Sequence, residues 1–230
     1  RPFGFRQRPK GALLNNTWQK RLLTFDYVSS YIADVADALR TTFSWGGQAV
    51  GDEMRALEGW GEDYPGAAEP TVSSASLRIA EESRQRVWNA GFFFQNVLDI
   101  SNKYFVTTGV RVDGNSAFGE GFGLQVYPKA SLSWVISDEG FFPESLGQVK
   151  LRTAYGQSGR APGAFDAVRT WSPVGWGGVP AFVPQNVGNP DLGPEVTREF
   201  EVGFDASLMN DRVNLTYTYF NQFTTDALMR

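Results

Sequence analysis

The stretch Glu199-Phe200-Glu201-Val202-Gly203-Phe204-Asp205-Ala206-Ser207-Leu208 decides the fold. Phe200, Val202, Phe204, Ala206 and Leu208 alternate strictly with Glu199, Glu201, Gly203, Asp205 and Ser207. Successive side chains of an extended chain point to opposite faces, so this is a strand with one apolar and one polar face. After Asn210-Asp211 the pattern resumes, with Val213, Leu215, Tyr217 and Tyr219 set against Asn214, Thr216 and Thr218. Upstream, Tyr104, Val106, Thr108, Val110 and Val112 alternate with Phe105, Thr107, Gly109, Arg111 and Asp113. Val126–Ile136 and Val149–Tyr155 behave likewise. Weaker candidates cover Lys20–Tyr31 and Leu39–Val50, and a long one runs from Arg84 to Leu98, giving about eight strands in all.

Strand length separates the fold classes. Several of these runs are about 11 to 16 residues long. Globular strands average about 5 to 6 residues, whereas crossing a membrane takes about 9 to 11. Connections also alternate. Asp99–Asn102, Met209–Asp211 and Ala33–Ala38 are short, and Ser137–Gly147 is somewhat longer and holds Phe141-Phe142-Pro143. Gly51–Ser83, Gly114–Gly121 and Gly159–Pro194 are long and turn-rich. Short periplasmic turns and long extracellular loops are the pattern of outer-membrane barrels. The expectation is an all-β, antiparallel, up-and-down transmembrane β-barrel wall. Tyr104, Tyr127, Trp134, Tyr155, Tyr217 and Tyr219 are candidates for its interfacial aromatic belts.

Composition agrees and excludes several functions. The 230 residues carry 18 Phe, 8 Tyr, 7 Trp and 25 Gly, yet mean hydropathy is −0.29. No apolar run reaches the roughly 18 residues of a membrane helix. Formal charge is −4, so no basic footprint for nucleic acid is present. With neither His nor Cys, the chain cannot hold Cys/His metal sites, Ser-His-Asp triads or disulfides, and no enzyme or cofactor chemistry is read from it.

Motifs that look chemical have structural readings. Glu199, Glu201 and Asp205 share a polar face where Arg111, Lys129, Lys150 and Arg152 are candidate partners. Gly119-x-Gly121-x-Gly123 looks like a phosphate loop but lacks the following helix and Lys-Ser/Thr. The acidic segment Asp52–Glu69 lacks the spacing of a calcium loop and reads as a solvated loop. The Gly159–Pro194 loop carries Phe165, Trp171, Trp176 and Phe182, whose rings are candidates for stacking on a nutrient or packing on a partner; the alternative is self-packing of a long loop. Asn189-Pro190-Asp191-Leu192-Gly193-Pro194-Glu195 reads as a rigid re-entry into the next strand.

The run Leu151–Gly163, with Tyr155-Gly156-Gln157-Ser158-Gly159, is followed by the Asn189–Glu195 re-entry, the Glu199-x-Glu201-x-Gly203 strand and the Asn210-Asp211-Arg212 turn. Together with Phe105–Asn115, Tyr127–Ser131, Trp134 and Phe142-Pro143, these motifs resemble SusC/RagA-type TonB-linked outer-membrane receptors. The match is specific from about residue 84 and general before it. The resemblance implies residues 1–230 are part of one receptor β-barrel domain of about 22 strands. Signal peptide, plug domain and barrel ends are not among them, and both ends read as interrupted. It further implies an energy-coupled importer of oligosaccharides or peptides in the bacterial outer membrane. Implied partners are a SusD-like lipoprotein, the TonB complex and outer-membrane lipid. Competing readings are a passive porin, a small closed eight-stranded barrel, a soluble β-sandwich binding module and an outer-membrane enzyme, the last disfavoured by the absence of His.

Overall fold

The computed structural model describes residues 8–66, 70–120 and 123–228, apart from the side chains of Glu144 and Trp176. Eight strands form one antiparallel sheet in the order β1-β2-β3-β4-β5-β6-β9-β10. They are β1 (Ala12–Ala36), β2 (Leu39–Glu62), β3 (Leu77–Ile100), β4 (Tyr104–Asn115), β5 (Gln125–Val135), β6 (Gln148–Arg160), β9 (Glu195–Leu208) and β10 (Val213–Thr225). Between β6 and β9 the chain makes a separate hairpin, β7 (Thr170–Trp176) and β8 (Val179–Asn186). Neighbours in sequence are neighbours in the sheet, as up-and-down topology requires, and β1 and β10 are its two edges.

Two expectations need correction. The first three strands are far longer than the sequence pattern suggested, at 25, 24 and 24 residues. At about 3.3 Å per residue each is roughly 80 Å long, against the roughly 30 Å of a bilayer core. The expected Gly51–Ser83 loop is therefore mostly strand, and only Asp63–Ser76 joins β2 to β3. Gly, Asp and Glu are depleted in strands generally, which hid this extension; pairing with neighbouring strands overrides that preference. Likewise Gly159–Pro194 is not a structureless loop. Gly177 and Gly178 both have positive φ, 58° and 82°, the requirement of a two-residue hairpin turn.

The chain divides into two compact units. One comprises Val50–Val87 and the described part of Arg1–Leu23. Ion pairs across and along its strands hold it: Lys20 Nζ lies 2.9 Å from Asp52, Glu53 receives Arg55 of its own strand (2.6 Å) and Arg86 of β3 (3.3 Å), and Arg8 pairs with Glu62 while lying 4.7 Å over the Trp60 ring. Tyr64 folds back over Gly61 against Ala75 and is among the few buried side chains.

The other unit, Thr24–Ala49 and Trp88–Arg230, carries the paired register that sorts the faces. Partners in an antiparallel ladder share a face. Phe94, Val110 and Pro128 lie on one face, as do Tyr104 and Trp134, Leu151 and Phe204, and Tyr219 and Val202. Arg111 and Tyr127, Lys150 and Asp205, and Thr218 and Gly203 lie on the other. On the apolar face Phe92, Val126, Leu132, Phe200, Leu215 and Tyr217 are each more than 40% exposed. No large side chain is fully buried among the described residues. The accessible area is 16333 Å², whereas a compact chain of this mass exposes about 10,000 Å². The excess reflects side chains left uncovered on the sheet faces, and β1 and β10 do not pair with one another, so the sheet is not a self-closed eight-stranded barrel.

At Gly46 the wall tolerates no side chain. An ideal Cβ on Gly46 falls 2.3 Å from the Tyr27 carbonyl oxygen and 2.7 Å from the Phe93 ring, whereas nothing lies within 4 Å of one on Gly156. In the full-length receptor Gly46→Ala costs about 1–3 kcal/mol and Gly156→Ala is neutral. Urea unfolding in micelles, followed by the heat-modifiable band on gels, measures both.

Candidate functional site

The polar face carries an ordered charge network. Arg111 donates through Nε to both Asp113 oxygens (2.9 and 2.7 Å) and through Nη2 to Gln48 Oε1 (3.3 Å); Gln48 in turn donates to Asp26 (2.7 Å). Arg152 lies 3.3 Å from Asp205 and donates to Thr218 Oγ1 at 2.5 Å. Thus Asp205 finds Arg152 as expected, but Arg111 pairs along its own strand with Asp113. The register places Gly156 opposite both Lys129 and Glu199, and Ala154 opposite Glu201. The expected network of Glu199 and Glu201 with Lys129 and Lys150 is therefore not assembled; the register interposes small residues.

The acidic segment is likewise accounted for. Asp52 pairs with Lys20 of β1, Glu53 with Arg55 of its own strand and Arg86 of β3, and Glu62 with Arg8 ahead of β1; Glu69 lies outside the described residues. In the glycine motif, Gly119 N donates to the Leu192 carbonyl (3.1 Å) and lies against Pro190, so its role is to dock one loop on the other. Gly121 lies outside the described residues.

The Gly159–Pro194 connection is braced internally. Asn186 Nδ2 donates to the Phe165 (2.8 Å) and Val168 (3.2 Å) carbonyls. Asp166 Oδ2 accepts from Gly163 N at 2.7 Å, and Asn189 Oδ1 from Asp191 N at 3.0 Å, making the re-entry a rigid Asx turn. Between this connection and the end of β10 lies an open cleft of about 1140 Å³. Arg160, Asp166, Asn186, Asn189, Asp191 and Asp226 supply its polar lining.

Phe165, Trp171 and Phe182 do not line that cleft. Trp171 opposes Pro184 and Phe182 opposes Pro173, which puts the two rings on one face of the hairpin, 51% and 69% exposed. Trp176 pairs with Val179 in the backbone register, and its side chain lies outside the described residues. Phe165 sits at the base, beside Asn186. The structure therefore brings together two of the four. Pro173, Pro180 and Pro184 share the Trp171–Phe182 face. Since Pro has no N–H, their pairs are the non-hydrogen-bonded ones, whose backbone groups point out along the hairpin edges. The cleft was missed by sequence reasoning; its signal was the Asn/Asp/Gly density of Asn186–Gly193.

At the short-turn end, Tyr104 and Trp134 stack on the apolar face, centroids 6.0 Å apart and 18° between planes. Phe141 meets Trp134 edge-on at 6.4 Å. Glu139, in the turn after β5, receives the Tyr104 hydroxyl (2.6 Å) and the Trp134 indole N–H (3.1 Å) on one oxygen, with Lys103 Nζ 3.7 Å from the other. Tyr155, Tyr217 and Tyr219 also lie on the apolar face, but Tyr127 does not: it faces the polar side, with its hydroxyl against Gly159.

A single sheet with one lipid-compatible face and one charged face is a membrane-barrel wall. The sequence profile described as "TonB dependent receptor-like, beta-barrel" matches residues 3–230. The chain belongs to that family. It is 36% identical over 135 residues to "TonB-dependent receptor P39" of Formosa agariphila, covering 56% of this chain and 13% of that protein. To "TonB-dependent receptor P26" of the same organism it is 29% identical over 212 residues, covering 86% of this chain and 21% of that protein. Among solved structures, "Structure of the RagAB peptide transporter" contains a chain that superposes on all of this one with TM-score 0.88 at 18% identity. The "closed-closed" state of the RagAB peptide importer gives 0.84 over 92% at 16% identity. This receptor chain spans about a quarter of those structures and a fifth or less of the curated relatives. Its sheet is a piece of a TonB-dependent receptor barrel, a family of receptors, and it shares its fold with the RagAB chains.

Two outcomes follow for the receptor. Asn186→Ala removes the brace on the Phe165 and Val168 carbonyls, and protease nicking between residues 161 and 194 on intact cells quickens about tenfold while the barrel stays folded. The Tyr104 hydroxyl, then the Trp134 N–H, hold the Glu139 carboxyl below the usual carboxylate range. A depressed carboxyl contributes stability that is complete above its unfolded pKa and is lost as pH falls through its folded one. Tryptophan fluorescence of the receptor in micelles therefore shows an acid limb below the ordinary glutamate range, and Glu139→Gln removes it.

Proposed function

We propose that this wall belongs to an outer-membrane transporter that imports nutrients such as oligosaccharides or peptides, driven by TonB and capped by a lipoprotein of the SusD/RagB kind. The observation that carries the reading is the register-wide division of the sheet. One face offers exposed Phe, Leu, Val and Tyr to hydrocarbon; the other holds Arg111, Asp113, Arg152 and Asp205 toward an aqueous lumen. Family membership, rather than a passive porin, supplies the energy coupling. The RagAB structures, of a peptide transporter, support the peptide arm through fold alone.

In this reading the ligand first meets the braced hairpin. Trp171 and Phe182 present a flat, uncharged face suited to stacking on sugar rings or apolar side chains, and Phe165 and Trp176 are further contacts. The Arg160–Asp226 cleft offers hydrogen bonds beside it.

The test uses the full-length receptor in cells. Uptake of the nutrient on which the receptor is induced stops when TonB is deleted, while surface binding persists. Trp171→Ala with Phe182→Ala weakens binding about tenfold and leaves receptor abundance unchanged. Uptake independent of TonB would sink the importer reading. Unaltered binding by the double variant would remove the hairpin from the ligand site.

A further inference from the structure

The Glu139 cluster is more than a belt of rings. Its two ring residues lie on the lipid-compatible face, and the turn that carries Glu139 folds back onto that face at the short-turn end. Phe141 of the same turn is 70% exposed. Amphipathic rings mark the headgroup level of a bilayer, so the turn lies among headgroups rather than in open water.

The charges there are arranged in a particular way. One Glu139 oxygen already accepts two hydrogen bonds, from Tyr104 and Trp134. The other oxygen has only Lys103, at a loose 3.7 Å, with both side chains part-exposed at 18% and 32%. An ammonium keeps donors to spare in such a contact. The wall therefore shows, side by side at headgroup depth, a carboxylate oxygen with free acceptor capacity and a cation with free donors. A zwitterionic headgroup complements this pair, its ammonium on Glu139 and its phosphate on Lys103.

The rings decide which zwitterion. A quaternary ammonium is bound by open aromatic faces. Here Tyr104 and Trp134 turn their edges, through O–H and N–H, to Glu139, one face of each is given to their mutual stacking, and Phe141 is edge-on to Trp134. That leaves no cage, and it favours a headgroup that can donate N–H. We propose that Glu139 and Lys103 form a binding site for one phospholipid with a primary ammonium headgroup, of the ethanolamine class, in the leaflet at the short-turn side. This rests on the membrane placement proposed above.

The experiment takes the full-length receptor, purified in mild detergent and delipidated. It is titrated with short-chain phosphatidylethanolamine, phosphatidylcholine and phosphatidylglycerol, and bound lipids are counted by native mass spectrometry. The expected result is one ethanolamine lipid held about tenfold more tightly than its choline counterpart, the size of one charge-assisted hydrogen bond. Glu139→Gln, which keeps an acceptor for both rings, abolishes that preference, and Lys103→Met weakens both zwitterions. Equal retention of choline and ethanolamine lipids by the unmodified receptor overturns the site, as does a preference that survives Glu139→Gln. Tightest binding of the glycerol lipid overturns it too, because Lys103 alone would then be the determinant. Failure to retain any lipid overturns the membrane placement with it.

Discussion

Everything in this structure depends on pairing the backbone within a single layer. In hydrocarbon an unpaired N–H or C=O costs several kcal/mol, so the chain satisfies its polar groups sideways, strand against strand. The ladder runs through all eight strands in sequence order. Once it is in place the side chains need build no core, and they do not: the buried apolar residues are chiefly small ones such as Ala12, Ala75, Ala117 and Ala167. Each face is free to match its own solvent. That freedom lets a chain of mean hydropathy −0.29 be a membrane wall.

The same logic sets the two ends apart. At the short-turn end, connections such as Ser101–Lys103 and Met209–Arg212 lock through left-handed residues, and the Ile136–Gly147 turn pins its glutamate under two rings. In the unit that holds residues 50–87, and in the β7–β8 connection, polar contacts take over. Ion pairs such as Lys20–Asp52 and Arg86–Glu53 hold the continuations of β1–β3, and amide braces such as Asn186 hold the β7–β8 base. Charge pairs serve where water is present, and rings serve where it gives way to lipid.

Legibility in the sequence follows from this division. Where lipid lies on one face and water on the other, period-two alternation is enforced, and Phe200–Leu208 or Tyr104–Val112 could be read directly. Beyond the membrane both faces are wet and the alternation lapses. Met54–Glu62 therefore looked like loop although it is strand. The hairpin was hidden by its own prolines, although Gly177-Gly178 between two β-rich runs was a turn signal in plain view. Reading it as loop also obscured that Trp171 and Phe182 share one face of a hairpin. The polar cleft has no period or motif to announce it, because distant segments assemble it.

The prolines of the hairpin have a consequence beyond its own shape. Of the outward-facing backbone sites on β8, Pro180 and Pro184 carry no donor, leaving Phe182 alone between them. A receptor crowded among copies of itself, or waiting unfolded for assembly, is exposed to strand-by-strand zippering along any free edge. Along its β8 edge this hairpin offers little to pair with, and its sticky surface lies broadside. It can be grasped by its rings while remaining a poor template for polymerisation.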